Sequence, residues 1–207
     1  MPLRVPLQLH PDSRCDALTG VEVEIARASP RVLQLSYVLL GAPRKIRMKP
    51  REQDRGDPLW RHTCLEAFLR PGGGEGYLEV NLSPSGEWGA YSFTRYREGM
   101  EATRAAALSG VDSETRMRPM EAGERARLES VGFDTRQRFE PSFFLLKAQL
   151  TFDVSLPLDV PWHLGLSAVI EERNGRISYW ALRHPPGKPD FHHPDCFALE
   201  LPAARSA

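Results

Sequence analysis

Apolar and polar residues alternate along most of this chain, and the alternation writes out strands. In residues 63–69, Leu65, Ala67 and Leu69 share one face while Cys64, Glu66 and Phe68 share the other. Residues 77–82 repeat the pattern, with Leu78, Val80 and Leu82 against Tyr77, Glu79 and Asn81. A third run follows, with Trp88 near its start and Phe93 at its end. The glycine-rich stretch from Pro71 to Gly76 joins the first two as a turn. Pairing Arg70 with Tyr77 then sets Glu66 opposite Asn81. It leaves Glu79 diagonal to Glu66, roughly 7–8 Å away.

The same period recurs on both sides of this stretch. Residues 5–9, 21–26 and 32–40 read as strands, the last two joined by a turn at Ser29-Pro30. Residues 142–154 place Phe144, Leu146, Ala148, Leu150 and Phe152 on one face. Residues 162–172 and 176–182 flank Asn174-Gly175, a pair suited to a two-residue type I′ hairpin. Pairing Arg173 with Arg176 puts Val169 opposite Trp180. Tyr179 and Ala181 then join the core beside Leu164, Leu166, Ala168 and Ile170, and Trp180 points away from it. Residues 196–201 form a closing strand with Phe197, Leu199 and Leu201 inward.

Two segments break the rhythm. Residues 41–57 are rich in Arg, Lys and Pro and read as an exposed loop. Residues 94–138 are charged and lack alternation; they read as a long surface excursion with one short helix at 121–131. About nine or ten strands with no βαβ rhythm predict an all-β fold. The expected architecture is an antiparallel β-sandwich of jelly-roll or immunoglobulin-like type, with one short helix in a long loop. At 207 residues the chain is expected to be a single domain, with its core in about residues 21–201.

Composition narrows the function. The formal net charge is zero, which removes the electrostatic case for nucleic acid or an anionic membrane. No apolar run is long enough for a membrane span. The start of the chain lacks the apolar stretch of a signal peptide. Cys15, Cys64 and Cys196 are odd in number and widely spaced, which suits reduced thiols. The expectation is a cytoplasmic protein. Its oligomeric state stays open.

The candidate chemistry sits in two clusters. The first is the polar face of Glu66, Glu79 and Asn81, with Trp60 at its entrance. Two carboxylates that close call for a cation, a proton or a polar ligand between them. Arg97 is one of several arginines near in sequence. The second cluster is Trp180, Arg183, His184, Asp190, His192 and His193 in a proline-rich segment. Adjacent histidines on an extended chain point apart, and no HExxH spacing occurs, so no metal site is expected. No phosphate loop, dinucleotide fingerprint or nucleophile elbow is present. Glu66 and Glu79 are also the kind of pair a retaining glycosidase uses. Aromatic faces stack on sugar rings while carboxylates, amides and Arg bind hydroxyls.

The segments TCLEAFLRP, YLEVNLSPSGEWGAYSF and SYWALRHPPGKPDFHHPDCFALEL carry a resemblance. The chain resembles the DOMON-like superfamily, and within it bacterial proteins similar to family 9 carbohydrate-binding modules. The resemblance implies a jelly-roll β-sandwich that binds a glycan or similar small molecule without catalysis and without a cofactor. In the family 9 modules a sugar end is clamped between two tryptophans. Carried over, Trp60 and Glu66 match the first tryptophan and the acidic strand position, and Trp180 the second tryptophan. Asn81 and Arg97 or Arg183 would be polar contacts, with Glu79 and His184 beside them. The acidic loops that hold calcium in those modules are not evident here. Some DOMON domains instead bind haem through Met and His, for which Met100 with His184 or His192 would have to serve.

Overall fold

The computed structural model describes residues 2–48, 58–102, 108–119, 123, 126, 129, 130 and 142–204, with backbone alone for 108–119 and 142. Twelve strands run through them: β1 (Leu3–Leu9), β2 (Leu18–Ser29), β3 (Val32–Gly41), β4 (Cys64–Pro71), β5 (Tyr77–Leu82) and β6 (Trp88–Phe93), then β7 (Glu101–Ala102), β8 (Leu108–Pro119), β9 (Ser142–Phe152), β10 (Trp162–Glu171), β11 (Ile177–Ala181) and β12 (Leu199–Leu201). Every pairing between them is antiparallel. The fold is an all-β sandwich.

One sheet runs β1-β2-β3-β9-β8 and the other β7-β6-β5-β4-β10-β11. β1 belongs to both: its first residues pair β2, while Gln8 and Leu9 pair Ala181 and Trp180 of β11. β12 pairs the start of β10. The core lies between the sheets. It is built from Val21, Val23, Ile25, Leu33, Leu35, Leu39 and Leu146 on one side, and Leu65, Leu69, Leu78, Val80, Leu82, Leu164 and Leu166 on the other. Burying each such side chain contributes about 1.5–3 kcal/mol. Tyr37 sits in this layer, and its hydroxyl donates to the Glu66 backbone carbonyl at 2.6 Å, tying the two sheets across the core.

The excursion expected after residue 93 contains more structure than its composition suggests. β8 pairs β9 from Leu108 to Pro119 and forms the sheet edge. An edge strand needs no apolar alternation. The helix expected at 121–131 lies mostly outside the described residues; Gly123, Ala126, Glu129 and Ser130 are helical.

The β10–β11 register also differs from expectation. Ala168 faces Trp180 and Ser167 faces Ala181. The turn holds three residues, Arg173 to Gly175: Glu172 N–H donates to the Arg176 carbonyl at 2.8 Å and Gly175 N–H to the Glu172 carbonyl at 2.9 Å. Gly175 has φ +85°, whereas Asn174 is not left-handed. This is a type I turn closed by a left-handed glycine, not the type I′ turn. A slip of one residue exchanges the two faces of a strand. Trp180 therefore points into the core, and Tyr179 and Ala181 point out of it. Phe197 differs too. It packs on the outer face of the second sheet, while Leu199 and Leu201 turn toward the core.

Among the described residues, no helix is long and apolar enough to cross a membrane.

Candidate functional site

The outer face of the second sheet is itself covered. Cys64, Phe68, Tyr77, Tyr91, Phe93, Val169 and Ala181 project from it, and Leu59, Phe191 and Phe197 pack over them. Covering this face is what buries the polar residues among these side chains. Glu66 is 2% exposed and Asn81 0%, and Glu79 and Ser167 are buried with them. Glu66 lies directly opposite Asn81 on the β4–β5 ladder, and Glu79 opposite Phe68. β10 brings Ser167 beside Glu66 from the other side.

The hydrogen bonds are specific. Ser167 Oγ donates to Glu66 Oε2 at 3.1 Å. Asn81 Nδ2 donates to Glu79 Oε1 at 2.7 Å. Asn81 Oδ1 has no donor. Burial pushes the Glu66 carboxyl up to about 8, and the neighbouring Glu79 charge adds to the rise; the bonds from Ser167 and Cys64 oppose it. Glu66 is thus a carboxylic acid at neutral pH, because an ion there would lose its water without gaining a cation.

His192 closes the site from the loop after β11. Its Nδ1 meets the Tyr77 hydroxyl at 2.8 Å, and Nε2 stands 3.8 Å from Glu79 Oε2. The Arg97 N–H donates to the same Tyr77 oxygen at 3.2 Å. Burial holds His192 down at about 4, and Arg97 pushes the same way. Arg97 itself has φ +56°, a conformation L-residues rarely adopt. Its guanidinium donates to Asp190 Oδ1 at 2.8 Å, and the Tyr96 hydroxyl donates to the other oxygen of Asp190.

Trp60 stands at the rim. It lies in the 3-10 turn Leu59–Arg61, where Leu59 is buried in the covered face and Trp60 is 38% exposed. Its ring meets Tyr91 edge-on at 5.7 Å, and Tyr91 is the ladder partner of Glu79. Trp60, Glu66, Glu79, Asn81 and Arg97 are therefore brought to one region.

The remaining candidates are not. Trp180 is 5% exposed on the opposite face, with Nε1 donating to Ser178 Oγ at 3.2 Å. The one-residue register difference removes it from the polar face. His184 follows β11, three strands from β5, or roughly 14 Å. Its Nε2 donates to the Gln8 carbonyl at 2.9 Å, and its ring meets His10 edge-on at 4.8 Å. Burial lowers its pKa. Arg183 is exposed, and its backbone carbonyl accepts from Cys196 Sγ at 3.2 Å. Trp88 leans on the core side.

Sequence reasoning missed Tyr77, Tyr91, Ser167 and the placing of His192. Tyr77 had a signal, since it shares the face of Glu79 and Asn81. His192 had none, because only the fold of its loop brings it to β5. Among the described residues no three His, Cys, Asp or Glu are grouped to hold a metal ion. Met100 is exposed, His184 Nε2 donates to the Gln8 carbonyl and His192 Nδ1 meets the Tyr77 hydroxyl.

No protein-family model matches the chain, and no curated protein matches it. Among solved structures it is similar to a candidate carbohydrate-binding protein from Bacteroides uniformis, at 16% identity and a TM-score of 0.63, over 94% of this chain and 83% of that one. It is also similar to a family 9 carbohydrate-binding module from Caldicellulosiruptor kristjanssonii. In complex with cellotriose that module gives 7% identity and a TM-score of 0.43, over 87% of this chain and 74% of that one. In complex with glucose it gives 8% and 0.40, over 87% and 76%. The first likeness shows the fold, an all-β sandwich shared along nearly the whole chain.

Proposed function

We propose that this protein binds a carbohydrate-like small ligand, without converting it, at the Trp60 rim of the second sheet's outer face. The observation that carries the reading is the pairing of an exposed tryptophan ring with buried hydrogen-bonding groups behind it. Trp60 stands against Tyr91, and Tyr91 leads along the ladder to Glu79, Asn81 and Glu66. An apolar wall with a few fixed polar groups is what a sugar ring needs. The resemblance to DOMON-like proteins of the family 9 type supports the same reading, as does the description of the Bacteroides uniformis neighbour. Titration calorimetry against a glycan panel tests it. Wild type binds at least one glycan, and Trp60→Ala loses that binding while keeping its melting curve. A panel with no binder removes the proposal.

A second reading has one specific observation behind it. Glu66 keeps its proton at neutral pH beside Glu79, the division of labour of a glycosidase acid and its partner. Turnover of aryl glycosides that vanishes in Glu66→Gln is the result this reading requires.

A further inference from the structure

β2 ends with a charge on its core side. Val21, Val23 and Ile25 point into the sandwich, and Arg27 is the next residue of the same parity. Its guanidinium lies 3.8 Å over the ring of Trp162, which is fully buried at the start of β10. The hydrogen-bond partners of Arg27 are all neutral. Nε and Nη2 donate to the Pro30 carbonyl at 3.3 and 3.1 Å, and Nη1 donates to the Pro202 carbonyl at 2.8 Å. Among the described residues no carboxylate pairs with it. Burial lowers its pKa, as it does for a cation taken out of water. A guanidinium has five N–H groups, so one stays free on each terminal nitrogen.

Beside this cation is an open cavity of about 310 Å³. Arg27 and Ser29 line it, with Pro30, Leu201, Pro202 and Ala203 as apolar walls. Its lip is fixed, because Pro202 accepts from Arg27 and the Ala204 N–H donates to the Leu158 carbonyl at 2.9 Å. Small-molecule sites run from about 300 Å³ upward, so this cavity suits a ligand of few heavy atoms.

We infer that this cavity is a second binding site, which takes a small monocarboxylate with an apolar body, its two oxygens on the free terminal N–H groups of Arg27. The site shares no residue with the Trp60 face, and the inference stands independently of the binding reading above.

The chemistry selects the class. The planar fork of a guanidinium matches the two oxygens of a carboxylate, and such charge-assisted pairs are stronger than neutral ones. Trp162 holds the guanidinium in place, so little order is lost on binding. One cation balances one negative charge. A phosphate dianion would leave its second charge among apolar walls. An amide of the same shape has one acceptor oxygen and no charge, and forfeits the ion pair.

Titrations of the full chain at neutral pH, followed by the assigned indole N–H resonance of Trp162, test this. The probes are hexanoate, benzoate, their two amides and inorganic phosphate. Hexanoate or benzoate is expected to shift that resonance saturably and to bind about tenfold or more tighter than its amide. Arg27→Gln is expected to remove the gap between acid and amide. Because that variant also loses the stack on Trp162, Ala203→Trp is the second. It fills the cavity, leaves Arg27 in place and is expected to abolish binding. Amides binding as tightly as the acids, phosphate binding more tightly than either acid, or saturation unchanged by Ala203→Trp each overturns the inference. So does a panel that moves nothing. None of these outcomes touches glycan binding, which Trp60→Ala reads separately.

Discussion

Two hairpins of the second sheet look alike in sequence, yet only one has the register its sequence suggests. In β4–β5 both strands alternate cleanly. Leu65, Ala67 and Leu69 can share a face only with Leu78, Val80 and Leu82, and the observed register keeps Glu66 opposite Asn81. In β10–β11 the second strand is Ile-Ser-Tyr-Trp-Ala. Tyr179 and Trp180 are adjacent large aromatics, so either parity offers the core a ring. The turn then decides. A loop of three residues instead of two turns Trp180 inward and Tyr179 outward. The difference teaches that alternation pins a register only where the two faces differ in hydrophobicity.

The largest expected effect breaks the comparison at its aromatic. Trp180→Ala empties core volume beside Ala168 and should destabilise by about 3–5 kcal/mol in urea unfolding. Were Trp180 on the ligand face, the loss would be small.

Glu66 sharpens the other hairpin. Its folded pKa, about 8, lies above the ordinary carboxyl value of 4.5. Between those values the folded chain holds a proton that the unfolded chain has released. This contribution to stability is full below about pH 4.5 and is lost as pH rises through about 8. Wild type should therefore lose more than about 1 kcal/mol relative to Glu66→Gln between slightly acid and alkaline pH. Paired urea titrations of the two proteins read the difference, and parallel pH profiles would count against a buried neutral Glu66.

Gly175→Ala tests the turn. A left-handed position costs a residue with a Cβ about 1–2 kcal/mol. The unfolding midpoint should fall accordingly, with the near-ultraviolet dichroism of Trp180 unchanged. Smallest is Trp60→Ala, whose ring is partly in water; it should cost under about 1 kcal/mol of stability. Set beside Trp180→Ala, it separates a tryptophan that holds the fold from one kept at the rim.

Much of the fold was legible because the sheets bury one continuous layer. Residues 142–154 announced β9 through Phe144, Leu146, Ala148, Leu150 and Phe152, all buried. β8 was not legible, because an edge strand is held by backbone pairing and leaves its side chains free of a pattern. The site was legible in part. Glu66, Glu79 and Asn81 stood out as polar residues in strand runs. The segment carrying His192 and Phe197 read as a separate cluster, since no local rule says that it lies across β4 and β5.

Alternating hydrophobicity was enough to assign the all-β class, most strands, and the face on which Glu66 meets Asn81. Those are local properties, set by the two-residue period of a strand and the gain from burying one side of it. The tertiary structure alone decided three things: that Trp180 belongs to the core, that the polar face is covered, and that Glu66 is neutral beneath the cover. Each depends on groups far apart in the chain. A turn length sets the first, a loop folded back over the sheet the second, and the water that loop excludes the third.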